Sequence, residues 1–288
     1  MADEAFSKRL LPWLVAVAFF MESLDTTILN TAVPAIAKAL DVAPLSMKAV
    51  LSSYTLSLAV FIPISGWVAD RFGAKLIFRL AIGIFTLSSL ACGMTTSFEA
   101  LIAARVLQGL GGAMMVPVGR LILLRSVDRS ELVKALALMS MPSLVGPIMG
   151  PILGGFLTSY ASWRWVFWIN LPFGILGIVL VTIFIEDVRE TARRKFDAVG
   201  VTLCSIGLSS LLFGVDAATS RSTSEPLALG CVAIGALALC LYVLHARRQA
   251  EAVINLARGR SLTGTSSVIG GSVFRVGVGA MPCLLPVL

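Results

Sequence analysis

The sequence predicts an all-α, multi-span membrane protein, and three observations carry that reading. Of its 288 residues, 57% are hydrophobic and only 14% charged, whereas a soluble domain carries about 25% charged residues. Mean hydropathy is +0.92. Apolar runs of roughly 20 residues, the length a bilayer core requires, recur along the whole chain, and the charges gather in the short segments between them.

The first run, 12–34, is too long for a secretory leader and lacks a small-residue cleavage site, so it reads as a retained helix. Further helices are expected at 48–69, 76–94, 98–120, 135–159, 164–185, 198–215 and 226–246, with a ninth beginning near 262. With the N-terminus in the cytoplasm, the inside segments collect 17 lysines and arginines, against only Lys38, Lys48, Arg164 and Arg221 outside. That asymmetry follows the positive-inside rule and fixes the orientation. It also accounts for the net charge of +7 without invoking nucleic acid. The ninth run continues to Leu288 without a polar stop, which suggests a fragment truncated in or after that helix. Cys92, Cys204, Cys231, Cys240 and Cys283 lie scattered in apolar runs with no CxxC pair, so they read as small core residues.

Charge inside a span is expensive, about 2.5–3.5 kcal/mol at the bilayer centre, so such residues are functional candidates. The first helix holds Glu22 and Asp25, and the fourth holds Arg105. Asp25 lies about 20 Å from the inner end of its helix and Arg105 about 10 Å from the outer end of its own. In a core of about 30 Å the two reach one level, so an Asp25–Arg105 pair in one solvent-filled vestibule is expected. Protonation of Asp25 would release the arginine, the basis of a proton-driven switch. Glu22 shares the face of Asp25. Two neighbouring carboxylates cannot both ionise cheaply, which makes Glu22 a candidate for proton carriage or for contacting a cationic substrate. The plain alternative is a structural ion pair joining the first and fourth helices. Gln108 extends the polar face of Arg105 and, with Glu22 and Asn30, is expected to line the substrate cavity; for Asn30 and Asn170 interhelical hydrogen bonding is the other role. His245, at a cytoplasmic helix end, reads as interfacial. Trp163, Trp165 and Trp168 mark an outer boundary, where indoles favour the headgroup region.

The fifth helix contains LVGPIMGPILGGFL. Gly146, Gly150 and Gly154 recur every four residues and stack on one face, Gly155 widens it, and Pro147 and Pro151 form a second row. In lipid, close backbone approach through small residues is a main source of helix attraction. The pattern describes a bent, smooth-sided helix able to press against a partner across a cavity.

Five segments carry a resemblance. GWVADRFGAK, Gly66 to Lys75, resembles the cytoplasmic loop signature of the major facilitator superfamily, and RVLQGLGGA, Arg105 to Ala113, its fourth-helix motif. GPIMGPILGG is similar to the fifth-helix antiporter motif. LDTTILNTAVP, Leu24 to Pro34, and WRWVFWINLP, Trp163 to Pro172, resemble signatures of the 14-helix drug:proton antiporters (multidrug resistance transporters). The resemblance implies a six-helix bundle over 1–190, an extra helix pair with linkers over 191–250, and the start of a second bundle over 251–288. It implies export of drugs or toxic compounds in exchange for protons by alternating access, with Asp25 and Arg105 in the coupling. Asp70, Arg71, Gly73 and Lys75 match the loop that stabilises one conformation at the cytoplasmic ends of helices, and Arg120 is the expected partner of Asp70. Glu22 is no part of the signature. The partners expected are a small-molecule substrate, protons, the lipid bilayer and a periplasmic or outer-membrane protein, with no nucleic acid and no cofactor. A monomer in the bacterial inner membrane is the expected setting. The alternative within transport is a carrier for one defined metabolite, such as an amino acid, a sugar or a siderophore. An enzyme finds no support: GxxxxGK[ST], HExxH and GxSxG are all missing.

Overall fold

In lipid a backbone must satisfy its own polar groups, and a bilayer-length apolar run does so as a helix. The computed structural model describes residues 2–185, 196–218 and 225–249. Its helices are α1 (Ala2–Ala39), α2 (Met47–Phe72), α3 (Ala74–Met94), α4 (Phe98–Ser126), α5 (Leu132–Tyr160), α6 (Trp165–Trp168), α7 (Asn170–Phe184), α8 (Ala198–Ala218) and α9 (Glu225–Arg248). Among the described residues, eight helical segments are long and apolar enough to cross a membrane, with α6 and α7 forming one of them. The expected ninth helix, the 251–288 unit and Cys283 lie outside the described residues.

Boundaries differ from expectation in informative ways. Helix α1 runs through Pro12 and Pro34 rather than stopping at them, since membrane helices tolerate proline where neighbours re-satisfy the freed carbonyls. The sixth span is two helices instead of one, broken at Ile169. Pro172 has no N–H for the carbonyl of Trp168, so the junction falls where proline suits a helix start. Helix α4 continues to Ser126, six residues beyond the expected 120.

Helix α1 packs along α5 and also touches α7 and α4, while α4 lies on α3 and α2, and α7 on α3. The α8–α9 pair joins this bundle through α2. Ser205 donates to the carbonyl of Val60 at 2.7 Å, Ser52 donates to Asp216 at 2.7 Å, and Lys48 lies 3.4 Å from the same carboxylate. At the other end of the pair, Asp197 Oδ1 accepts from Gly200 N at 2.8 Å, and His245 lies 2.8 Å away. His245 thus ties the two helices together.

A small apolar cluster of Cys204, Tyr242 and Ala246 lies between α8 and α9, and the main bundle holds two larger ones. One gathers Leu11, Val15, Phe78, Phe85, Met115, Ile122 and Val181. The other gathers Ile28, Ile36, Met47, Val50, Leu101, Trp163 and Phe167. On α1 the gap between them falls between Met21 and Ile28, and on α4 between Ala104 and Met115. That gap holds the polar residues.

Candidate functional site

In the gap, Arg105 Nη1 donates to Asp25 Oδ2 at 2.6 Å, and both side chains are 1% exposed. The same nitrogen donates to Gln108 Oε1 at 2.6 Å. Asp25 Oδ1 accepts from Gln108 Nε2 at 2.8 Å and from Asn170 Nδ2 at 3.1 Å. Ser89 of α3 accepts from Gln108 at 3.3 Å and Asn170 at 3.0 Å, and donates to the carbonyl of Phe167 at 2.9 Å. Every partner of Asp25 is a donor, so the carboxylate acts only as an acceptor and the structure is that of the charge-paired state. Four helices, α1, α3, α4 and α7, therefore meet in one network. A fifth, α2, adds Tyr54, whose ring lies under the Arg105 guanidinium with Cζ 4.3 Å from its centroid.

The expected open vestibule is not what surrounds the pair: it is enclosed by helices. Gln108, expected to line the substrate cavity, is fully buried and committed to the pair. Asn170 is likewise an interhelical hydrogen-bonding residue here. Asn30 is exposed and takes no part in the network. Glu22 is half-buried, with Oε2 buried and without a hydrogen-bond partner among the described residues.

The glycine row of α5 faces α1 directly, not a partner across a cavity. A Cβ on Gly146 would come within 2.7 Å of Ser23 Oγ, and one on Gly150 within 2.7 Å of Thr27 Cβ. One on Gly154 would collide with Thr31 Oγ1 and lie 2.8 Å from the carbonyl oxygen of Ile28. The small polar row Ser23, Thr27, Thr31 thus interlocks with the glycines, and Thr27 donates to the carbonyl of Gly146 at 3.2 Å. Gly155 does not widen this face, since a Cβ there would meet nothing within 4 Å. Pro147 and Pro151 are exposed.

Where α2 meets α3, most of GWVADRFGAK is not loop but the last turns of α2. Gly66 sits in that helix, exposed, with open space around it. The turn is Gly73 alone, at φ 98°, a conformation that only glycine adopts without strain. An acid near a helix C-terminus opposes the helix dipole, so Asp70 needs a tertiary reason. It finds one in Arg125, which donates to Asp70 at 2.7 Å. The expected partner, Arg120, is exposed instead. The longer α4 carries Arg125 to the level of Asp70 and leaves Arg120 short of it. Lys75 donates to the carbonyl of Thr182 at 3.0 Å and closes the last turn of α7, while Arg71 is exposed. Arg125→Gln is expected to cost about 1 kcal/mol, the upper range for partly solvated pairs, and Arg120→Gln less than about 0.5. Thermal unfolding in detergent checks both.

Sequence reasoning missed Tyr54 and Ser89. Neither is charged, and each is surrounded in sequence by other small or hydroxylated residues. The available signal was position, because both fall at the depth of Asp25 and Arg105.

Helices of bilayer length bundled around an enclosed ion pair define a multi-span integral membrane protein. The chain belongs to the Major Facilitator Superfamily, whose family pattern matches residues 15–280. Over 287 residues it is 44% identical to a Shigella flexneri serotype 5b protein that carries the name multidrug resistance protein MdtD, and 43% identical to the protein of that name from Escherichia coli K12. Each match covers 100% of this chain but 61% of the relative, so the chain spans about three-fifths of their length. Two solved structures share the fold. The POT family transporter PepTSo has a TM-score of 0.58 at 17% identity, covering 84% of this chain and 55% of that one. A bacterial homologue of the human lysosomal transporter Spinster, inward-facing and unoccupied, has a TM-score of 0.52 at 16% identity, covering 82% and 74%.

Proposed function

We propose that the protein exports drugs or other toxic small molecules in exchange for protons, by alternating access, as a 14-helix antiporter of the superfamily. The observation that carries this is the enclosed Asp25–Arg105 pair, tied through Gln108, Ser89 and Asn170 to two further helices, α3 and α7. The names of the relatives support the substrate class. A proton on Asp25 removes the negative half of the pair and leaves fewer acceptor sites for Arg105, Gln108 and Asn170. These groups must then find other partners, and the helices carrying them, α4 and α7, can shift against α1. Deprotonation rebuilds the network and returns them. Each charge moved gains about 2.3 kcal/mol per 100 mV of membrane potential.

Glu22 and Asn30, eight residues apart on one face of α1, are the proposed cavity wall, with Glu22 suited to a cationic substrate. The Asp70–Arg125 and Lys75–Thr182 contacts are the proposed cytoplasmic closure. Residues 1–190 form the first bundle, 191–250 the extra pair and 251–288 the start of the second. The N-terminus faces the cytoplasm of a bacterial inner membrane.

The test uses everted membrane vesicles holding a pH-sensitive dye and the lipophilic cation ethidium. Ethidium is expected to alkalinise the interior, and Asp25→Asn to abolish that response while the protein stays in the membrane. Ethidium movement that persists after the proton gradient collapses would exclude proton coupling. A wild-type response in Asp25→Asn would remove Asp25 from the mechanism.

A further inference from the structure

Tyr54 packs into the first apolar cluster and also faces the ion pair. Its side chain is 1% exposed, and its buried hydroxyl has no hydrogen-bond partner among the described residues. A buried tyrosine ordinarily pairs its O–H, so it is the ring face that earns this position. The α2–α4 contact is shaped around it. A Cβ on Gly109 would lie 2.7 Å from the Tyr54 carbonyl oxygen, and one on Gly112 would lie 2.8 Å from the hydroxyl. Three residues on, Ser57 donates to the carbonyl of Val106 at 2.7 Å and holds the two helices in register. The result is a ring fixed 4.3 Å from the guanidinium carbon.

We infer that Tyr54 is a positioning residue, a second seat for the Arg105 charge that takes over when Asp25 is protonated. This rests on the proton-coupled reading above. While Asp25 is charged, it balances the guanidinium directly. Once it takes up a proton, the cation keeps the carbonyl oxygen of Gln108 and the negative face of the ring, and cation–π attraction is strongest where water is excluded. The charged and titratable groups around the ring are Glu22 and Asp25 of α1, Arg105 of α4 and Cys92 of α3. Helix α7 contributes the neutral Asn170. Of these groups only Asp25 is hydrogen-bonded to Arg105 among the described residues, so the ring is the group already in place when that bond weakens. The ring therefore makes the protonated state easier to reach, and without it a more acidic medium is needed.

The experiment compares Tyr54→Leu and Tyr54→Phe in the full chain. In everted vesicles with tetraphenylphosphonium as the probe, Tyr54→Leu is expected to move the half-maximal pH of proton exchange down by about one unit, a tenfold change in proton activity. Tyr54→Phe, which keeps the ring and drops the hydroxyl, is expected to restore it. In detergent, the side-chain N–H signal of Arg105, assigned by its loss in Arg105→Lys, is expected to carry a ring-current shift. That shift should persist in Asp25→Asn and vanish in Tyr54→Leu. A wild-type pH profile in Tyr54→Leu, or loss of the shift in Asp25→Asn, would overturn the inference. If the unaltered protein exchanges no protons with the probe, the proton-coupled reading fails, and the Asp25→Asn spectrum still decides whether the ring seats the cation. The same spectrum decides the matter if Tyr54→Leu does not reach the membrane.

Discussion

Arg105→Ala is expected to destabilise the bundle by about 3–5 kcal/mol, the cost of leaving one member of a buried ion pair without its partner. Asp25 would keep only the amides of Gln108 and Asn170, with no cation within the enclosed network. Gln108 Oε1 would lose its charged donor and keep only the Cys92 thiol at 3.7 Å, and the Tyr54 ring would lose the group it stacks on. Arg105→Lys is expected to rescue only part of this, because an ammonium is a compact point charge while the guanidinium combines planar donors with ring stacking. The informative variant is the double one. Replacing a buried pair by neutral groups of similar volume is often tolerated, so Asp25→Asn with Arg105→Gln is expected to unfold close to the unaltered protein. It should nonetheless move no protons. Thermal unfolding in detergent, set beside vesicle transport, separates the two roles. A double variant as unstable as Arg105→Ala would mean that shape, not charge balance, holds this layer together.

The spans and the pair were legible for one physical reason. A bilayer penalises misplaced charge so heavily that Asp25 and Arg105 stand out against 57% apolar composition, and depth alone brought them to one level. The enclosure of the pair was not legible, because it depends on uncharged residues. Ser89 and Tyr54 look like any hydroxylated residues of an apolar helix until three-dimensional packing brings them to the carboxylate's layer. The Asp70 partner was misplaced for a more local reason. Sequence set the end of α4 at the first cationic residue after the apolar run, Arg120, whereas the helix runs through Leu121 to Leu124 and places Arg125 in its last turn. Long cationic side chains can sit inside the membrane boundary while their heads reach the interface, so the first arginine need not mark a helix end. The four-residue spacing made Gly146, Gly150 and Gly154 legible as one stripe, but not what lies against it, since Ser23, Thr27 and Thr31 show a four-residue repeat only when aligned against α5.

That partner makes Gly154 the most sensitive position on α5. Gly154→Leu is expected to prevent α1 and α5 from closing, and even Gly154→Ala is expected to cost about 1–3 kcal/mol, the range for overpacking a filled contact. The obstacle is backbone, not a side chain that can rotate away: the carbonyl oxygen of Ile28 would lie 2.8 Å from the new Cβ. At Gly146 the nearest groups are the side chain of Ser23 and, at 3.0 Å, the amide nitrogen of Leu24. The neighbouring Gly155→Leu is the control, expected to change stability by less than about 0.5 kcal/mol because its Cβ direction is open. The consequence reaches the ion pair. Asp25 lies on α1 between Ser23 and Thr27, the residues that fit against Gly146 and Gly150, so the glycine face sets the rotation of α1 and with it the aim of the carboxylate at Arg105. Gly154→Ala should therefore impair proton exchange in vesicles more than its stability loss explains, whereas Gly155→Leu should leave both unchanged. Equal behaviour of the two variants would show that the α1–α5 seam yields freely and does not orient Asp25.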